Sequence, residues 1–129
     1  MNPVLRYALA LPAIVFTIVG VAWLIAPSVV APLMGMRLLE GTGLSTQIAD
    51  LGSFFLTLGA CIGIGAATDR RAWFYPGILM LVLATCGRVI AWAAHGAALA
   101  LDSIAVEVVV VALLVLAIRS RRRDTSMPK

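Results

Sequence analysis

Three ionisable residues stand inside apolar runs of this chain: Asp50 in IADLGSFFLTLGACIG, Arg88 in LATCGRVIAWAAHG and Glu107 in DSIAVEVVVVALL. An acid beside an arginine can do general acid/base work on an epoxide, alkene or carbonyl, provided burial keeps one carboxyl protonated while the arginine holds the other ionised. Arg88 has no charged neighbour for more than about a dozen residues on either side. Such a guanidinium is the polar centre of an apolar layer, and charges at that depth point into a bundle and pair.

The solvent follows from composition. The 129 residues are 62% hydrophobic and 12% charged, with a mean hydropathy of +1.05, against about a quarter charged in ordinary soluble domains. This predicts an all-α polytopic membrane protein, with residues 1–129 forming a single membrane domain. The formal charge of +4 does not point to nucleic acid, since five of the ten basic residues lie in the terminal RSRRRDTSMPK. Directly after an apolar segment, these read as a juxtamembrane anchor, a basic cytoplasmic tail over 119–129.

Four segments reach the roughly 20 apolar residues a span needs: 7–26, 47–67, 73–94 and 97–118. They predict a four-transmembrane-helix antiparallel bundle. DRRA and HGAA are tight turns, and PSVVAPLMGMRLLEGTGLST is a longer connection expected to lie in the interface as a short amphipathic piece. The first run is longer than a signal-peptide core and no clean A-x-A site follows it, so it is read as a span. Arg6, Arg70, Arg71, Arg119, Arg121, Arg122, Arg123 and Lys129 share one side and only Arg37 the other. The positive-inside rule then places both termini in the cytoplasm of a bacterial inner membrane.

Hairpin geometry levels the charges. Positions 88 and 107 are equidistant from the middle of the GAAL turn, so Arg88 and Glu107 are expected at one depth. Reflection about Arg70 puts Asp50 level with position 90, about 3 Å from Arg88 along the axis. On the second helix Gln47, Asp50, Phe54, Thr57 and Cys61 form one stripe, and on the third Thr85, Arg88, Trp92 and His95 form another. The candidate catalytic residues are therefore Asp50, Arg88 and Glu107, with Gln47, Phe54, Thr57 and Trp92 as candidate ligand-binding residues. Gly52, Gly59 and Gly63 form a small-residue stripe suited to a partner helix or to homo-oligomerisation.

Each feature also has a plainer reading. The charges could simply fix helix register, Trp92 could anchor the interface, and His95 beside Gly96 reads as a turn residue. Glu40 and Asp102 read as solvated charges. No glycine-rich phosphate loop, G-x-S-x-G, H-E-x-x-H or C-x-x-C occurs, so neither a cofactor nor a metal is expected. Cys61 and Cys86 come out about 10 Å apart along the axis, beyond the roughly 7 Å a disulfide spans, and read as packed thiols.

The order of an apolar first helix ending in AP, IADLGSFFLTLGACIG, a charged turn, GR near the outer end of the third helix and an apolar-embedded Glu in the fourth resembles the DoxX-like small four-helix bacterial membrane proteins. It is similar in particular to a branch catalogued only as a domain of unknown function, over roughly positions 8–118. The resemblance implies a four-helix bundle with Asp50, Gly59, Arg88 and Glu107 at recurrent positions, and brings no established reaction. The wider group is linked to respiratory or redox partners, yet nothing like a haem or quinone motif is visible here.

Two functions remain open at this point. One is an outer-leaflet pocket for an apolar or lipid-like small molecule around the Asp/Arg/Glu cluster, with or without acid/base catalysis. The other is a non-enzymatic accessory or assembly subunit of a larger membrane complex. A small proton-coupled transporter fits the length and span number, but the first helix lacks the essential Glu of the small multidrug exporters.

Overall fold

A computed structural model describes residues 1–124; Lys129 and the last part of the expected basic tail lie outside the described residues. The chain forms α1 (Pro3–Ile25), α2 (Pro27–Leu33), α3 (Gly41–Thr68), α4 (Phe74–His95) and α5 (Leu101–Asp124), with a 3₁₀ turn at Arg71–Trp73. No strand occurs among the described residues. Four of these helices are long and apolar enough to cross a bilayer, so the protein is an all-α, multi-pass membrane protein. Their outward faces carry Ile14, Ile18, Leu79, Leu83, Val108 and Leu116, as a lipid-facing surface should.

Three helix starts differ from the expected ones, the first by beginning at Pro3 rather than Tyr7. The third span begins at Gly41 rather than Gln47, because its first turns, GTGLST, are helical without being apolar. Its 28 residues extend about 42 Å, whereas the hydrocarbon layer is about 30 Å thick. Hydropathy therefore sees only the immersed part. The last span begins at Leu101 rather than Ala97. Gly96 ends α4 in the left-handed conformation, at φ 67°, and the four residues that follow are used in reversing the chain.

α1 and α3 form the tightest pair. At Gly20 an added Cβ would stand 2.7 Å from the backbone nitrogen of Leu56, and at Gly59 it would stand 2.8 Å from that of Thr17. Only hydrogen fits there, so the backbones meet directly. The small-residue stripe expected to accept a second protein's helix is thus covered, at Gly52 and Gly59, by α1 of the same chain. Leu9, Phe16, Leu58, Ile62, Phe74, Leu81 and Leu114 build the core that joins this pair to α4 and α5.

Pro27 cannot continue α1, and Ala26 before it leaves the helical region. The chain turns into α2, whose Val30 and Ala31 bury Trp23 completely. The indole Nε1–H of Trp23 donates to Met34 Sδ at 3.3 Å. The connection after α2 is held by Gln47: its Oε1 accepts from the Leu39 N–H and its Nε2–H donates to the Arg37 carbonyl, both at 3.0 Å. At the opposite end of the bundle, Arg6 Nη2–H donates to the Ala67 carbonyl at 2.9 Å and ties α1 to the end of α3.

Candidate functional site

Thr85 and Arg88 are three residues apart on α4 and so share the face turned to α5. Both end on one carboxylate. Arg88 Nε–H donates to Glu107 Oε1 at 2.9 Å, and Thr85 Oγ–H donates to Oε2 at 2.7 Å. Glu107 is nearly sealed, with 8% of its side chain exposed, while Arg88 keeps 36%. The levelling of positions 88 and 107 about the α4–α5 connection is therefore realised as an ion pair between neighbouring helices.

Asp50 does not join it. Its side chain is exposed and makes no hydrogen bond or ion pair among the described residues. The physical reason lies in the turn and in the helix azimuth. The turn runs through Asp69 and the 3₁₀ segment, which moves the reflection point about one residue beyond Arg70. Asp50 then lies level with position 92, about 6 Å along the axis from Arg88. Moreover, α4 turns Arg88 towards α5, and its buried residues, Phe74, Gly77 and Leu81, all lie in its first half, while Val89, Ile90 and Trp92 are exposed.

The other expected site residues divide. Phe54 lines the space beside Arg88. Gln47 is buried, but both ends of its amide serve the 37–39 backbone, so it supports the connection after α2 rather than facing a ligand. Thr57 is exposed and Trp92 is 52% exposed, and neither borders the cavities at Arg88. The stripe from Gln47 to Cys61 thus does not face one interior, since Asp50 and Thr57 on it are exposed while Gln47 and Cys61 are buried. Cys61 is buried and Cys86 exposed, both as free thiols. No cluster of His, Cys, Asp and Glu that could hold a metal occurs among the described residues.

Two adjoining cavities of about 260 and 610 Å³ flank Arg88 and share Met34, Phe54 and Phe55 as walls. The smaller reaches inward past Phe16 and Leu58 to Leu81, with Glu107 at its polar end. The larger opens between α3 and α4 over Gly87 and Ala91 and is roofed by Leu33 and Met36. Ser103 borders both and Asp102 the smaller one. Asp102, expected as a solvated charge, is exposed but stands at this rim.

Thr85 is the polar partner that residue-type reasoning passed over, although it belongs to the Arg88 stripe. Met34 and Gly87 carried no chemical signal, because their contribution is shape: one is a wall pinned by Trp23, the other an absence of side chain. Comparison with known families, curated proteins and solved structures finds no match.

Chemically, the arrangement offers donors rather than a base. Both oxygens of Glu107 are engaged, and Asp50 lies off the cavity walls. Arg88 uses only Nε; Nη1 and Nη2 make no hydrogen bond among the described residues, and the Ser103 hydroxyl makes none.

Proposed function

We propose that this protein binds an apolar or lipid-like small molecule in the cleft beside Arg88, in the outer leaflet of a bacterial inner membrane. The observation that carries the reading is the cleft itself. A polar group that is costly in a bilayer stands half-open to a cavity with apolar and aromatic walls, rather than being sealed in the core. The arginine asymmetry of the short connections supports cytoplasmic termini, which puts α2 and the α4–α5 connection outside. In that orientation the slot between α3 and α4 opens sideways into the outer leaflet, a route for a guest dissolved in lipid. The DoxX-like relationship is proposed on the sequence motifs alone.

Glu107 acts here as the anchor that aims Arg88. Acid/base chemistry would need its carboxylate released from Thr85 and Arg88, so binding is favoured over catalysis. The test is co-purification from native membranes. A small molecule retained by the protein and lost in Gly87→Phe, whose ring would narrow the larger cavity at its α4 wall, supports the reading; an identical lipid extract from both overturns it.

A second reading, an accessory subunit, has its own observation. The outer half of α4 exposes Val89, Ile90 and Trp92, a face that another helix of a larger complex would cover.

A further inference from the structure

We infer that the cleft recognises an uncharged hydrogen-bond acceptor on an apolar body, namely a ketone, aldehyde or ester carbonyl; this rests on the binding function proposed above and specifies its ligand. The polar groups facing the cavities are unequally used. Glu107, the one sealed acceptor, has both oxygens engaged by Thr85 and Arg88. The unused groups are the donors Nη1 and Nη2 of Arg88 and the hydroxyl of Ser103, which can donate or accept; both residues border both cavities. The free guanidinium nitrogens of Arg88 only donate, so an acceptor on the guest is what the cleft pairs most fully. A carbonyl oxygen, with two lone pairs and no hydrogen, matches what is free.

Charge argues against an anion. The Arg88–Glu107 pair is already neutral as a unit, and Asp102 stands at the rim of the smaller cavity. A carboxylate or phosphate head would meet that negative charge with no uncompensated positive one. The apolar body has a matching space, since Phe16, Phe54, Leu58 and Leu81 continue inward from the polar end. Arg88 lies seven residues before the end of α4, about 10 Å below it, near the depth at which lipid ester carbonyls give way to chains. The carbonyl could therefore belong to a bilayer lipid or to a free apolar compound.

The experiment uses the full chain in nanodiscs of diether phosphatidylcholine, which carry no ester. Methyl undecyl ketone, tridecane and tridecanoate are equilibrated separately, and the amount held beyond that in empty nanodiscs is measured. The ketone should exceed both others at least about tenfold, as one good polar contact gives. Arg88→Met should bring the ketone down to the tridecane level. Ser103→Ala, which leaves the ion pair intact, should lower it several-fold even if Arg88→Met fails to fold. Gly87→Phe should remove the excess of every probe.

Equal retention of ketone and tridecane, both sensitive to Gly87→Phe, overturns the carbonyl preference and leaves an apolar binding cleft. Tridecanoate held above the ketone overturns the uncharged head. Retention of no probe overturns the cleft as well. Repeating the ketone measurement in diester lipid separates the two sources: a several-fold drop identifies the bilayer's own ester as the occupant, and an unchanged value identifies a free carbonyl compound. Both of these results support the inference.

Discussion

Removing both ends of the link between α4 and α5 should cost no more than cutting it at its worse end. Glu107 is almost sealed and both its oxygens accept hydrogen bonds, from Arg88 Nε at 2.9 Å and Thr85 Oγ at 2.7 Å. In Arg88→Met the carboxylate loses its counter-charge and one of its two hydrogen bonds. The Thr85 bond survives, so the loss is that of one charge-assisted bond, about 1.5 to 3 kcal/mol. In Glu107→Met the guanidinium is left without a partner, but its side chain is 36% exposed to the cavity and can turn towards water there. That loss should be smaller, about 1 to 2 kcal/mol. The double variant has no charge left to strand, and two flexible thioethers fill the space, so its loss should stay near that of the worse single variant, as for other neutralised ion pairs. Reversible unfolding in mixed micelles, followed by helical circular dichroism, gives all three numbers and hence the coupling, expected at about 1 kcal/mol or more. Additive losses, within about 0.5 kcal/mol, would refute a pair that acts as a unit.

Two glycines should respond in opposite directions. Gly59→Ala drives a methyl into the backbone of α1 and should cost about 1 to 3 kcal/mol, while Gly87→Ala meets nothing within 4 Å and should stabilise by up to about 1 kcal/mol; the same unfolding assay reads both. Gln47→Leu strips the Leu39 N–H and the Arg37 carbonyl of their partners, at about 0.5 to 1.5 kcal/mol, since both belong to exposed residues. Hydrogen exchange at the Leu39 amide should accelerate in that variant, and an unchanged rate would remove Gln47 from the support of the connection. Finally, Gly43→Cys should react with a membrane-impermeant maleimide from outside intact cells, as cytoplasmic termini require. Reaction only after permeabilisation reverses the orientation.

The contrast between Glu107 and Asp50 shows what was legible in the sequence. Levelling two residues about a short turn needs only the rise per residue, and the α4–α5 hairpin has a connection short enough for that to suffice. The Arg88–Glu107 pair follows from it. Asp50 required two further quantities: the exact length of the turn through Asp69, and which part of α4 is buried against its neighbours. Neither is encoded in hydropathy, because in lipid a helix shows the same apolar residues whether or not a neighbour covers them. The glycine stripe is ambiguous for a related reason. A stripe of Gly52 and Gly59 says that something approaches closely, and α1 of the same chain meets that need as well as a second protein would. Once α1 occupies the stripe, α3 is held on that side, and the larger cavity falls on the other, between α3 and α4. The tight pair and the open cleft are thus two faces of one helix. The donor left free at Arg88 stands where that opening meets a hairpin locked by charge.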